Sequence, residues 1–166
     1  MRRTMLLVSA LALALLVAAG VALAQPVGDQ VGDLQGGQGV TKTCPTDCDG
    51  TTYPDTLIGT NAPNHIEGLG GNETPTFGDL IQGHGGNDIL YGNQGGDRIE
   101  GGANIDTIYG GLGLDLLIGG IGEDKIYGGS GGDEIRVKDG YKDVVNCQGG
   151  NDNVTNRDSF DVLRNC

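Results

Sequence analysis

Residues Gly110–Ile118 read "GGLGLDLLI", Gly119–Tyr127 "GGIGEDKIY" and Gly128–Arg136 "GGSGGDEIR". Aligned one under another they share Gly-Gly-x-Gly-x-Asp-x-(aliphatic)-x at every fixed position. The first six residues of such a unit are rich in glycine and can take the positive φ angles of a tight turn. The last three suit a short strand whose middle residue points to one face and whose neighbours point to the other. One aliphatic residue per strand cannot bury itself alone. Units stacked on each other can share a thin core between two sheets, so the repetition is itself a requirement for stability.

Working outward, the step of nine holds through Asp79, Asp88, Asp97, Asp106, Asp115, Asp124 and Asp133. Each is followed two positions later by Ile81, Leu90, Ile99, Ile108, Leu117, Ile126 or Ile135. One inserted residue later the series resumes with Asp143, Asp152 and Asp161, followed by Val145, Val154 and Leu163. Upstream, Asp55, Asn64 and Glu73 keep the step, but three residues are missing between Glu73 and Asp79, and Pro75 takes the aliphatic place. The early units therefore read as degenerate.

Composition limits what such a chain can do. Glycine supplies 33 of 166 residues, and the formal net charge is −12 with no Trp. So acidic and so poor in core residues, the chain would not fold unaided, and a cation is the obvious neutralising partner. The same charge argues against nucleic acid and anionic membrane surfaces as partners. Arg2 and Arg3, the apolar run from Met5 to Ala19 and "ALAQ" at 22–25 make residues 1–24 a signal peptide, cleaved after Ala24, in a secreted protein. No later segment could span a bilayer, so stable membrane insertion is not expected. Residues 25–49, with Cys44 and Cys48, read as a flexible linker; 50–137 as the repeats, most regular over 74–136; and 138–166 as degenerate C-terminal repeats with a disulfide cap.

The nine-residue pattern resembles the RTX, or hemolysin-type, calcium-binding repeat. That resemblance implies an all-β fold, a parallel β-roll or β-helix solenoid in which two units make one right-handed coil and calcium sits in the turns. Residues 18 apart would then be vertical neighbours, about 4.8 Å apart. Stacked carboxylates so close repel by roughly 3 kcal/mol at an effective dielectric near 20. Calcium reverses that sign, since it takes six to eight oxygens and tolerates irregular geometry. The expected ligands are Asp79, Asp88, Asp97, Asp106, Asp115, Asp124 and Asp133, joined by glycine carbonyls, with several ions bound. A competing reading makes these residues turn caps only. For Asp143, Asp152 and Asp161 the two readings are left open. No His or Cys recurs with the period, which argues against zinc or copper.

With an 18-residue coil, Cys147 and Cys166 are one coil plus one residue apart, within reach of a disulfide. Pairing them leaves Cys44 with Cys48; two other connectivities and a zinc site remain as alternatives. Tyr91, Tyr109 and Tyr127, 18 apart, would form an outward ladder, either stiffening the sheet or contacting a cell-surface polysaccharide or protein. Ser130 within "GGSGG" fits a nucleophile pattern, but the repeat already accounts for its glycines. His65 and His84 read as turn residues. The chain is therefore expected to be a calcium-binding module and no enzyme, with an adhesion module and a secreted hydrolase as the alternatives.

Overall fold

The computed structural model describes residues 39–70 and 78–166. The signal peptide and most of the linker expected from the sequence lie outside the described residues. The described chain is all β, and its strands alternate between two parallel sheets. The first sheet holds β1 (Thr41–Thr43), β3 (Thr56–Ile58), β5 (Leu80–Gly85), β7 (Arg98–Ala103), β9 (Leu116–Ile121), β11 (Glu134–Arg136) and β13 (Asn153–Thr155), in that spatial order. The second holds β2 (Asp47–Asp49), β4 (His65–Glu67), β6 (Ile89–Gln94), β8 (Thr107–Gly113), β10 (Lys125–Gly131), β12 (Val144–Gly150) and β14 (Val162–Arg164). Each odd strand and the even strand after it make one coil, so two repeats per coil is the observed arrangement. Ile126 pairs with Ile108 and Val145, and Ile99 with Ile81 and Leu117, which puts one aliphatic residue per strand into a column. From Leu57 to Ile135 those residues are fully buried.

Three features differ from the sequence reading. The first is the linker: residues 41–49 are β1 and β2, the first coil of the roll, with Cys44 and Cys48 in its core. They escape the periodic pattern because a core of two half-cystines needs neither the glycine turn nor an aliphatic residue. Fourteen strands result among the described residues. Secondly, the early units are regular in register. Leu57 pairs with Ile81 and Ile66 with Leu90, so β3–β5 and β4–β6 are both spaced by 24 residues. The six extra residues fall between the end of β4 at Glu67 and the start of β5 at Leu80. Glu73 and Pro75 themselves lie outside the described residues. Thirdly, the central strands have six or seven residues where three were expected. Their ladder runs on past the corner, with Gly129, Ser130 and Gly131 of β10 aligned on Gly111, Leu112 and Gly113 of β8.

The turns follow from the glycines. In the unit starting at Gly119, Gly120 has φ 114° and Gly122 φ 153°, a conformation that costs a residue with a Cβ dearly. His84 holds the equivalent second position with φ 73°, near the end of β5, so it takes the turn conformation expected. His65 does not: it lies in β4, and its ring meets Tyr91 edge-on at 5.5 Å. Both ends are tied. Cys147 and Cys166 form a disulfide with Cα atoms 5.0 Å apart, and Cys44 pairs with Cys48. At the N-terminal end Lys42 occupies the column position of an aliphatic residue, and its Nζ donates to the carbonyl of Asp49 at 2.9 Å across the end of the roll. Among the described residues no helix is long and apolar enough to cross a membrane.

Candidate metal centre

The periodic aspartates form two columns, one along each edge of the roll. Their side chains do not reach out toward solvent: Asp79, Asp88, Asp97, Asp106, Asp115, Asp124, Asp133 and Asp143 are all buried. Nor do the carboxylates face one another as the 18-residue spacing suggests. Each Oδ1 accepts the backbone N–H of the aspartate one coil earlier. Asp88 N donates to Asp106 Oδ1 at 2.8 Å, Asp97 N to Asp115 at 2.8 Å, Asp106 N to Asp124 at 2.9 Å and Asp115 N to Asp133 at 3.0 Å. The inserted residue before Asp143 leaves the column intact, with Asp124 N donating to Asp143 Oδ1 at 2.8 Å.

The second oxygen is different. Oδ2 of Asp88, Asp106, Asp115, Asp124, Asp133 and Asp143 is buried and has no hydrogen-bond partner among the described residues. A buried carboxylate oxygen without a donor costs several kcal/mol of lost hydration, so native proteins rarely leave one alone. Desolvation accordingly raises these groups. Asp106 is pushed up to about 7 by burial; the hydrogen bond from Asp88 opposes this, and the carboxylates of Asp124 and Asp88 add to it. Asp115 is likewise raised to about 7, Asp124 to about 6 and Asp143 to about 7, burial being the leading cause each time. Asp88 and Asp133 move in the same direction for the same reason.

The space beside these oxygens explains the first glycine of each unit, which needs no unusual φ. A Cβ on Gly110 would lie 2.5 Å from the carbonyl oxygen of Gly128 and 2.6 Å from Asp115 Oδ2. On Gly101 it would lie 2.5 Å from both Asp106 Oδ2 and the Gly119 carbonyl oxygen, and on Gly128 2.7 Å from Asp133 Oδ2 and 2.8 Å from the Cys147 carbonyl oxygen. A carboxylate oxygen and a carbonyl oxygen from the next coil thus converge on one small gap. This donor set, hard oxygens with a negative charge and irregular spacing, fits calcium and not a thiolate- or imidazole-seeking metal. No cluster of three or more Asp, Glu, His or Cys side chains exists among the described residues, so backbone carbonyls must supply much of any coordination. That shifts the sequence reading, in which pairs of stacked carboxylates supplied the side-chain oxygens.

Asp143 belongs with the buried set, and the signal for it was Val145 two positions later. Asp161 does not: its Oδ2 accepts the N–H of Asp158, the turn-cap role. Tyr91, Tyr109 and Tyr127 stack as a column on the outer face of the second sheet, with centroids 4.6 and 4.8 Å apart and planes within 7° of parallel. Ser130 sits in β10 beside Leu112 as an ordinary third repeat residue.

Comparison with curated proteins and with solved structures finds no match. The model of the RTX calcium-binding nonapeptide repeat, in four copies, matches residues 49–74, 76–108 and 100–135, more than half of the chain. The period, the parallel roll and the oxygen-lined turns agree with that match. The chain belongs to the RTX calcium-binding repeat family.

Proposed function

We propose that this is a secreted calcium-binding protein whose roll folds as it takes up its ions. The observation that carries the reading is the row of buried Oδ2 atoms without donors, of which those of Asp88, Asp106, Asp115 and Asp133 each share a gap with a carbonyl of the next coil. The residues that would hold calcium are Asp88, Asp106, Asp115, Asp124, Asp133 and Asp143 through Oδ2, with Asp79 and Asp97 at equivalent places in the columns. Carbonyls of Gly101, Gly110, Gly119, Gly128 and Cys147 complete the donor set. Calcium, when bound, supplies the positive charge that a pile of buried carboxylates lacks. The chain's own part is to fix the spacing: each Oδ1 is held by a backbone N–H, which turns Oδ2 inward. Carboxyls raised toward neutrality must lose their protons on binding, so uptake releases protons near pH 7.

Secretion is supported by the N-terminal sequence and by two disulfides, which persist in oxidising compartments. For the tyrosine column, the stacking supports stiffening over recognition. Both faces of Tyr109 and one face each of Tyr91 and Tyr127, which a saccharide could otherwise bind, are covered by neighbouring rings. The groove of about 450 Å³ over Ile105, Ile121 and Tyr141 has Glu123 as its one carboxylate, which is no paired acid and base for hydrolysis. Far-UV circular dichroism of the mature protein, first in chelator and then in millimolar calcium, tests the main reading. Strand signal should appear with calcium, and an unchanged spectrum would overturn it.

A further inference from the structure

The first junction between coils is built unlike the others. On the edge that carries Asp88, Asp106 and Asp124, the turn of the first coil is cut to Cys44–Thr46 and closed by the Cys44–Cys48 disulfide. Above it, where the column calls for an aspartate, stands Asn64, buried like its neighbours. Its Nδ2 donates to the carbonyl of Cys44 at 3.0 Å and to that of Thr46 at 3.4 Å. Its Oδ1 accepts the N–H of Thr60 at 2.7 Å. This orientation of the amide is fixed by its partners, since the reverse would set an oxygen against two carbonyls. The opposite edge is also satisfied. Both carboxylate oxygens of Asp55 are taken, by the backbone N–H groups of Val40 and Thr51, and the Thr51 hydroxyl donates to Oδ1. Lys42 closes the end of the core onto the Asp49 carbonyl.

We infer that Asn64 stands in for a cation: its amide nitrogen holds carbonyls that a bound ion would otherwise have to gather, so residues 39–67 pair without metal. That region is then a template which sets the register on which the calcium-dependent coils build. In chemical terms a neutral donor of two N–H groups replaces a positive charge, and the column loses one negative charge in the same exchange. The covalent loop at Cys44–Cys48 adds to this by limiting the unfolded states of the short turn. The inference rests on the calcium reading of the remaining coils, and its test separates the two.

The experiment is residue-resolved hydrogen exchange on the full mature chain, in EGTA and then in calcium chloride. In EGTA the amides of Cys44, Thr56, Thr60 and His65, which bond to Ile58, Val40, Asn64 and Thr46, should exchange at least about tenfold more slowly than those of Asp97, Asp106 and Asp115. In calcium both groups should be slow. Equal, fast exchange of both groups in EGTA, with the central amides slowed by calcium, overturns the template and leaves the calcium reading standing. Central amides indifferent to calcium overturn both. The variant Asn64→Asp puts a bare oxygen against the two carbonyls, so the calcium midpoint for protection of the next coils should rise about tenfold, the equivalent of one buried hydrogen bond. An unchanged midpoint in Asn64→Asp also overturns the inference.

Discussion

The junction of the first two coils and the junctions of the central coils present the same backbone pairing and the same thin core, yet they treat their buried polar atoms in opposite ways. Asp55 and Asn64 have every side-chain oxygen or nitrogen matched by a partner within the protein. Asp106, Asp115 and Asp124 each keep one oxygen with no partner. The difference teaches that the sheets alone do not decide where an ion is needed. What decides it is whether the turn has side-chain or backbone donors to spare, and the glycine turns have none.

The sharpest way to break that comparison is to make one substitution in both places. Asp115→Asn should lower the calcium stoichiometry measured by titration calorimetry and weaken the neighbouring sites by about tenfold or more, since a charge-assisted ligand is lost. Asp55→Asn should leave the stoichiometry as it is and cost about 1–2 kcal/mol of stability, the scale of a buried hydrogen bond to a charged group. Equal effects of the two changes on stoichiometry would erase the distinction between end and middle.

Acidity gives a second, smaller contrast. A carboxyl whose folded value is raised holds its proton more tightly folded than unfolded, so in chelator the folded central coils gain stability from acid. That stability is fully present below the ordinary carboxylate value of 3.8 and is lost as pH rises through about 6 for Asp124 and about 7 for Asp106, Asp115 and Asp143. With calcium present the trend reverses, because binding needs the deprotonated form. Residual strand signal in EGTA should therefore fall between pH 4 and 8, while the melting temperature in calcium should rise. A rise in EGTA would contradict the assignment of these groups.

The smallest expected effect lies outside the core. Tyr109→Ser removes the middle ring of the column and should cost about 0.5–1.5 kcal/mol without changing calcium stoichiometry. A lost ion on this change would tie the outer face to the turns, which the present geometry does not.

The repeat was legible from Asp79 to Asp133 because a two-repeat coil brings one aspartate and one aliphatic residue to the same place each time, and a period survives translation into sequence. Three things were not legible. The strands at Thr41–Thr43 and Asp47–Asp49 carry a lysine and a cysteine where the pattern wants aliphatics, since an end strand has a neighbour on one side only. The pairing of Asn64 with Asp88 was obscured by the six-residue lengthening before Asp79, which shifts the count without disturbing the sheets. The inward turn of Oδ2 depends on the N–H that holds Oδ1, a relation between residues 18 apart that no local pattern encodes. The disulfide between Cys147 and Cys166 was readable because one coil plus one residue is itself a distance.

Lys42 has a consequence for the molecule in a crowd. A pile of parallel strands in register is, over a short length, the same object as a cross-β fibre, and its flat ends are templates for further growth. A fibre keeps growing because each added layer presents a surface identical to the last. Here the layer at the N-terminal end shows an ammonium group folded across the core and bonded to Asp49, which no arriving aliphatic strand can match. Growth that would be favourable layer by layer is thereby opposed at that end.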